Sequence, residues 1–393
     1  MSTTRNAFLT TFKHITRPAP TSSANATARV PRVTKPIVSA PMNGWSGPNL
    51  VATVANHGGF PIYPIGYYTD PSKILKDLQS IPPLLNDPES DNDGQQDTDV
   101  FMPYAVGFIS FWLDLKGPEL LRSILKGQGD HPDRRSAPRP PAAIWFAFGD
   151  YKPFLEFVRE YGAVGTKIFV QVQTVQEALE AQEQGVDVVV LQGTEAGGHG
   201  AQRVSPLMTL LPETVQALKD KVASNSSLQM PVVLAAGGIS TAAQVTAVQA
   251  MGASGVVVGT GFMPTFESHG AQHAKERLLR TSDGGANTVR TRIFDELREF
   301  DYPAGYDGRV VRNLLTDREE DDLKYCGLYE QKGQAAFKLL KGDRTGTKQD
   351  YERAVKEQDY DLLPLWCGTG VGMLNKQVSA AEFMDQLMVN QQQ

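Results

Sequence analysis

The chain is poor in cysteine, with only Cys326 and Cys367 among 393 residues. Two cysteines exclude a disulfide framework or a cysteine-rich metal site, and so few are typical of a reducing, intracellular compartment. The run of about 20 apolar residues that a membrane-spanning helix requires is also missing. The net charge is −6 and no stripe of basic residues occurs, so the charge does not indicate nucleic-acid binding. We therefore expect a cytoplasmic protein whose partners include neither a membrane nor a nucleic acid.

Common nucleotide-binding and hydrolase motifs are absent as well. No Gly-x-Gly-x-x-Gly links a strand to a helix, and no P-loop, Gly-x-Ser-x-Gly or His-Glu-x-x-His sequence occurs. The acidic segment 86–99 suggests a calcium loop around Asp91 and Asp93, but Val100 stands where that loop needs a bidentate glutamate. No metal site is therefore predicted.

Eight short apolar runs, each ending in glycine, proline or polar residues, predict eight strands. Most are continuously apolar, as is typical of parallel strands that are covered on both faces. The runs are 36–41, 59–65, 105–111, 143–148, 167–172, 187–191, 232–236 and 255–259.

Helical signals lie between several of these runs. Thr174 and Glu177 form a capping box, Ser240 can cap a helix over 241–251, and 212–222 is amphipathic. Alternating strands and helices predict right-handed βαβ units, and eight of them fit a closed (β/α)8 TIM barrel. A doubly wound open sheet is the alternative.

The barrel is expected over 34–264, with further segments on both sides. Residues 265–362 are polar and predict a helical subdomain over the barrel mouth, and 363–393 predict a return to the barrel and a tail. The extension 1–33 is basic and lacks acids, like a mitochondrial transit segment. We favour a short helix at 8–12 that plugs the barrel, and keep the mitochondrion as the alternative location.

The segment 191–200, after the sixth predicted strand, places four glycines around His199. Glycine lets backbone approach a ligand closely, and histidine exchanges a proton near neutral pH. The segment therefore indicates the mouth of an active site, and a glycine-rich turn with an incidental histidine is the alternative.

The last two predicted strands end in a pattern that suits a phosphate. Bare N–H groups of Gly237, Gly238, Gly259 and Thr260, with a helix N-terminus nearby, can hold a dianion without a lysine. Phosphate sites often lie after these two strands of such barrels.

Uncharged groups follow the other strands. Met42 and Asn43 follow the first strand, Gln171 and Gln173 lie at the fifth, and Gln192 follows the sixth. Amides suit the edge of a neutral heteroaromatic ring, and Met42 can pack on its face. With the phosphate site, this wall indicates flavin mononucleotide (FMN) rather than a phosphosugar. Plain core packing is the alternative for Met42.

Together these segments resemble the nitronate monooxygenase family, FMN-dependent (β/α)8-barrel flavoproteins formerly called 2-nitropropane dioxygenases. The resemblance spans roughly residues 34–375, and its most specific part is Glu-Ala-Gly-Gly-His ending at His199. The other matching segments are 36–42, 167–172, 235–239, 259–262, 267–268, 291–292 and 308–313.

The resemblance implies the chemistry and its residues. The family oxidises alkyl nitronates with molecular oxygen to a carbonyl compound and nitrite, so a small-molecule substrate and oxygen are the expected partners. His199 would be the catalytic residue beside the flavin. The expected cofactor-binding residues are Pro41, Met42, Asn43, Gln171, Gln192, Gly197, Gly198, Ala236, Gly237, Gly238, Gly259 and Thr260.

Some positions depart from the family pattern. Tyr67 and Tyr68 follow the second strand, where the family often has an asparagine, and Trp366 is followed by Cys367 and Thr369 instead of Ala-Gly-Gln. Tyr67, Tyr68 and Trp366 predict a larger, more aromatic pocket. Two other functions stay open: an FMN-dependent NAD(P)H reductase of a quinone or enoyl substrate, and a non-catalytic FMN- or phosphate-binding barrel.

Overall fold

Eleven strands are present in the computed structural model, which describes residues 2–11, 33–68, 70–85, 101–126, 140–300, 302–318 and 345–389. The segment 86–99 and Cys326 lie outside these residues. The strands are β1 Ile37–Ser39, β2 Phe60–Pro64, β3 Met102–Ile109, β4 Pro141–Ala147, β5 Lys167–Val172, β6 Val188–Gln192, β7 Gly198–Ala201, β8 Val232–Ala236, β9 Gly255–Val258, β10 Thr288–Thr291 and β11 Tyr306–Val311.

Eight of these strands form a closed parallel barrel in the order β1-β2-β3-β4-β5-β6-β8-β9. The barrel closes at β1, where Val38 pairs with Phe60 of β2 on one side and Val257 of β9 on the other. The predicted (β/α)8 barrel is therefore confirmed, and the doubly wound open sheet is wrong. Every predicted run overlaps a barrel strand. The largest shift of a boundary is at β3, which starts at Met102 and gives way to a helix at Ser110.

Helices connect the barrel strands, and no helix within the described ranges is both long and apolar enough to cross a membrane. The helices are α1 Ser2–Thr11, α2 Pro48–Asn56, α3 Pro71–Ser80, α4 Ser110–Lys116, α5 Glu119–Leu125, α6 Lys152–Tyr161, α7 Val175–Glu183, α8 Leu207–Ser224, α9 Ala242–Ala250, α10 Gln272–Arg280, α11 Gly284–Asn287, α12 Ile293–Leu297, α13 Thr345–Glu357 and α14 Ala380–Met388, with 3-10 turns at Pro82–Leu84, Thr260–Phe262 and Thr369–Met373.

Helix caps explain where two of these helices begin. The capping box of Thr174 and Glu177 is confirmed at α7. The predicted cap at Ser240 is wrong, since Thr241 caps α9 and forms a capping box with Gln244. Both residues can serve as an N-cap chemically, and only Thr241 has the third following residue needed to close the box. The Ser240 side chain is therefore free for another role.

Apolar side chains fill the inside of the barrel. Phe60 and Trp145 lie against Phe169, with ring centroids 5.7 and 6.1 Å away, and Phe8 of α1 joins the same buried cluster. Phe8 is fully buried. A packed interior of this kind leaves the carboxyl ends of the strands as the place for a site.

Replacing Phe8 by Ala is expected to lower the free energy of unfolding by about 3–5 kcal/mol, because it leaves a cavity inside the barrel. Urea denaturation of the full chain measures this loss. Thr10→Ala is the matched control, since Thr10 is exposed on the same helix and should change stability by less than about 0.5 kcal/mol. Equal effects of the two substitutions would show that α1 does not stabilise the barrel.

A second, antiparallel sheet has the order β10-β11-β7. The glycine-rich segment around His199 is in part a strand rather than a turn: residues 198–201 form β7, in which His199 pairs with Gly308 of β11. The backbone groups of the glycine-rich segment are paired by a strand over 100 residues further along, a partner that local sequence does not reveal. Residues 265–362 thus contribute strands as well as the expected helices.

Candidate active site

A cavity of about 300 Å³ lies at the carboxyl ends of the barrel strands, within the size range of small-molecule sites. The expected catalytic residue and all the expected cofactor-binding residues line it. These are Pro41, Met42, Asn43, Gln171, Gln192, Gly197, Gly198, His199, Ala236, Gly237, Gly238, Gly259 and Thr260. The closed barrel brings these positions together because the ends of all its strands meet at one rim.

His199 is held by a buried carboxylate. Its Nε2 atom lies 2.9 Å from Oδ2 and 3.0 Å from Oδ1 of Asp295. The Asp295 side chain is 1% exposed and that of His199 is 10% exposed. A desolvated carboxylate accepts hydrogen bonds, so the proton of the neutral imidazole sits on Nε2 and leaves Nδ1 as the basic nitrogen.

Asp295 belongs to the short helix α12, which buries Ile293, Phe294 and Leu297. Its second partner is Arg298, whose Nη2 donates to Oδ1 at 2.7 Å. Because burial of a carboxylate is costly unless it is paired, the arginine and the histidine together stabilise its charge.

Aromatic rings fix the orientation of the imidazole. Tyr302 stacks on His199, with centroids 4.0 Å apart and planes inclined by 2°, and Trp366 lies 4.7 Å away. Trp366 can approach because Gly308 has no side chain: a Cβ atom there would lie 2.0 Å from the indole.

The wall next to β5 and β6 is a chain of amides. Both Gln171 and Gln173 donate to Oε1 of Gln192, at 3.0 and 2.7 Å. Gln192 in turn donates to the carbonyl of His199 at 3.2 Å, and Gln173 accepts from the N–H of Ala201. The network ties the amide wall to β7 and so fixes the backbone of the histidine.

The next edge of the cavity, at the ends of β8 and β9, presents unpaired backbone donors. Within the described residues, the N–H groups of Gly237, Gly238, Gly259 and Thr260 form no hydrogen bond. Gly237 and Gly238 have φ of +116° and +70°, a conformation that glycine adopts readily. Nearby, the hydroxyl of Ser240 is buried and has no partner in that part of the chain. Free donors at one edge of a cavity form an anion-binding concavity.

The departures from the family pattern have different outcomes. Tyr67 and Trp366 line the cavity, as expected, whereas Tyr68 packs against the helical layer outside the barrel. Cys367 is buried behind Gly197. A Cβ atom added at Gly197 would lie 2.2 Å from the carbonyl carbon of Cys367. Burial raises the pKa of the Cys367 thiol to about 12, so it stays protonated and is a poor nucleophile.

Three residues around His199 could not be found from the sequence: Asp295, Arg298 and Tyr302. Asp295 lies 96 residues from His199 along the chain, and no motif marks it. The one local signal is that α12 begins with acidic residues. Since acids are favoured at the start of any helix, this signal does not single out Asp295.

The fold and the cavity define the chain as a (β/α)8-barrel enzyme with its site at the carboxyl ends of the strands. A family model described as nitronate monooxygenase matches residues 28–390. The chain belongs to this family and is an oxidoreductase of that type, and membership implies a flavin cofactor.

Relatives and solved structures agree with this membership. Nitronate monooxygenase of Neurospora crassa is 31% identical over 261 residues, covering 63% of this chain and 62% of that protein. A probable nitronate monooxygenase of Bacillus subtilis is 27% identical over 373 residues, covering 90% of this chain and 95% of that protein. Nitroalkane oxidase from Streptomyces ansochromogenes superposes with a TM-score of 0.61 at 24% identity, over 91% of this chain and 95% of that one. FabK from Thermotoga maritima superposes with a TM-score of 0.62 at 20% identity, over 91% of this chain and 92% of that one. The two structures show the shared fold.

Proposed function

We propose that the protein is an FMN-dependent nitronate monooxygenase, which oxidises alkyl nitronates with molecular oxygen to a carbonyl compound and nitrite. Each nitronate gains one oxygen atom, so two nitronates and one O2 yield two carbonyl compounds and two nitrite ions. The observation that carries the proposal is His199 on the cavity wall, paired with the buried Asp295 behind it, in a cavity that also has an edge of unpaired backbone donors. Family membership supports the same reaction.

The residues present fit FMN. Unpaired N–H groups at Gly237, Gly238, Gly259 and Thr260, with the N-terminus of α9 beyond them, would hold the phosphate. The orphaned Ser240 hydroxyl is a further donor for it. Pro41, Met42, Asn43, Gln171, Gln192, Gly197, Gly198 and Ala236 would surround the ring system. The bound flavin would supply the electron transfer between substrate and oxygen.

His199 would handle the substrate proton. With Nε2 donating to Asp295, the Nδ1 atom of the neutral imidazole can accept the α-proton of a nitroalkane. The resulting imidazolium lies between the Asp295 carboxylate and the face of Tyr302, which both stabilise a positive charge. Burial raises the pKa of Tyr302 well above its usual value, so its hydroxyl stays neutral and does not compete for the proton.

Oxygen uptake and nitrite release test this function. Purified protein carrying its flavin is mixed with propyl-2-nitronate in air, and both quantities are followed. We expect oxygen-dependent nitrite release at a ratio of two nitrite ions to one O2. Nitrite release that continues without oxygen, or no oxygen uptake at all, would contradict the proposal.

Gly259→Val is expected to reduce flavin affinity about tenfold or more, because a side chain there displaces the phosphate. A Cβ at Gly259 would lie 3.5 Å from Cβ of Ala40 and 3.8 Å from Sδ of Met42, so it points along the cavity wall without a clash. The flavin-to-protein absorbance ratio and a titration of the flavin-free protein with FMN measure the change. Gly285→Val is the matched control, since Gly285 is exposed and lies outside the cavity. Equal flavin content in both variants would show that Gly259 is not part of the phosphate site.

A further inference from the structure

Arg298 is the one lysine or arginine on the cavity wall, within the part of the chain that the structure describes. Its side chain is 30% exposed, and its guanidinium lies beside His199 because both bind Oδ1 of Asp295, at 2.7 and 3.0 Å. A positive group at this position does not serve the phosphate edge formed by Gly237 and Gly238. It lies on the side of the cavity where the substrate proton would be handled.

The donors of Arg298 are only partly used. Of the five N–H groups of a guanidinium, Nε donates to the carbonyl of Phe294 at 2.9 Å and one on Nη2 donates to Asp295. The other three have no partner among the described residues. They include one on each terminal nitrogen, which is the fork that matches a planar group with two oxygens.

Flat apolar surfaces hold and surround this group. The guanidinium lies 6.0 Å from the ring centroid of Phe300 and 5.5 Å from that of Trp366. Tyr67 and Phe148 continue the wall of the cavity, and Phe148 is held at φ +59°, a strained conformation that non-glycine residues keep mainly at functional positions. An anion that reaches Arg298 therefore places the rest of its structure against aromatic faces.

We propose that Arg298 binds the substrate as a planar two-oxygen anion, and so selects nitronates with an apolar or aromatic body over their neutral nitroalkane forms. The inference deepens the proposed function, on which it rests for the identity of the reacting group. Carboxylates have the same planar pair of oxygens and act as unreactive mimics.

Isothermal titration calorimetry of the flavin-loaded protein with benzoate and with benzamide tests the proposal without turnover. Benzamide keeps the shape and loses the charge. We expect the wild type to bind benzoate more tightly than benzamide. Arg298→Met should lower the affinity for benzoate about tenfold or more, as for the loss of a charged hydrogen bond. The affinity for benzamide should not change. Arg298→Lys keeps a charge beside Asp295 and loses the planar fork, so it should fold like the wild type and still bind benzoate more weakly.

The controls separate a binding role from a structural one. Arg353→Met removes an arginine that is 57% exposed on α13 and should leave both titrations unchanged. Unchanged benzoate binding in Arg298→Met, no preference of the wild type for benzoate, or an equal loss of benzamide would overturn the proposal. Nitrite release by the wild type is measured separately. If it is absent while benzoate binding depends on Arg298, the proposed reaction fails and the anion site stands.

Discussion

His199→Asn is expected to keep the flavin and to lower kcat by about 10²–10⁴-fold, the usual contribution of a general acid or base. Asparagine keeps a polar group next to Asp295 but has no nitrogen that can accept the α-proton. The Gln192 amide binds the carbonyl of His199, not its side chain, so the cofactor wall should survive. Steady-state nitrite release from nitroethane and the visible spectrum of the purified variant measure the two properties.

His273→Asn is the control for this substitution. His273 lies on α10, outside the cavity, with its ring at the edge of Tyr360. Its replacement should leave kcat unchanged. Full turnover by His199→Asn would show that His199 is a structural residue of β7.

Asp295→Asn is expected to lower kcat by about 10²-fold or more, because the buried negative charge that favours the imidazolium is lost. It should also destabilise the protein by up to about 3–5 kcal/mol, since Arg298 loses the partner of its charge. Asp295 is a positioning residue: it contacts His199 and Arg298 rather than the reacting atoms. Turnover of a preformed nitronate, which needs no deprotonation, should fall less than turnover of the nitroalkane.

Asp307→Asn separates this catalytic effect from loss of stability. Asp307 of β11 accepts from Nε of Arg290 at 2.6 Å and is also largely buried. Its replacement breaks a carboxylate–arginine pair in the sheet that contains His199 but removes no contact of the His199 side chain. We expect a lower melting temperature and an unchanged ratio of nitroalkane to nitronate turnover. The same change of ratio in both variants would mean that Asp295 acts only through stability.

The barrel could be predicted from the sequence because each strand is a local signal. Continuous apolar runs such as 187–191 are marked by their own residues, and their spacing around helices determines the architecture. The lining of the cavity followed from the same reasoning, since residues that end parallel strands meet at one edge. This is why Gln171, Gln192 and Gly259 could be placed without any knowledge of their contacts.

The surroundings of His199 could not be predicted in the same way. His199 pairs with a carboxylate 96 residues away, and β7 becomes a strand only through β11. Neither contact leaves a periodic pattern near the histidine. Tyr302 and Arg298 follow α12 in a polar stretch, where the sequence indicates helices and surface rather than a cavity wall. The cytoplasmic location and the division of the chain into segments stay predictions.

Anaerobic mixing of the flavin-loaded protein with propyl-2-nitronate or with NADPH distinguishes a nitronate monooxygenase from an NAD(P)H-dependent reductase. The visible absorbance of the flavin is followed in a stopped-flow instrument before any oxygen is admitted. We expect bleaching by the nitronate at a rate that supports turnover, no comparable bleaching by NADPH, and nitrite release once oxygen enters. Rapid bleaching by NADPH with none by the nitronate would contradict this expectation and assign the barrel to a reductase.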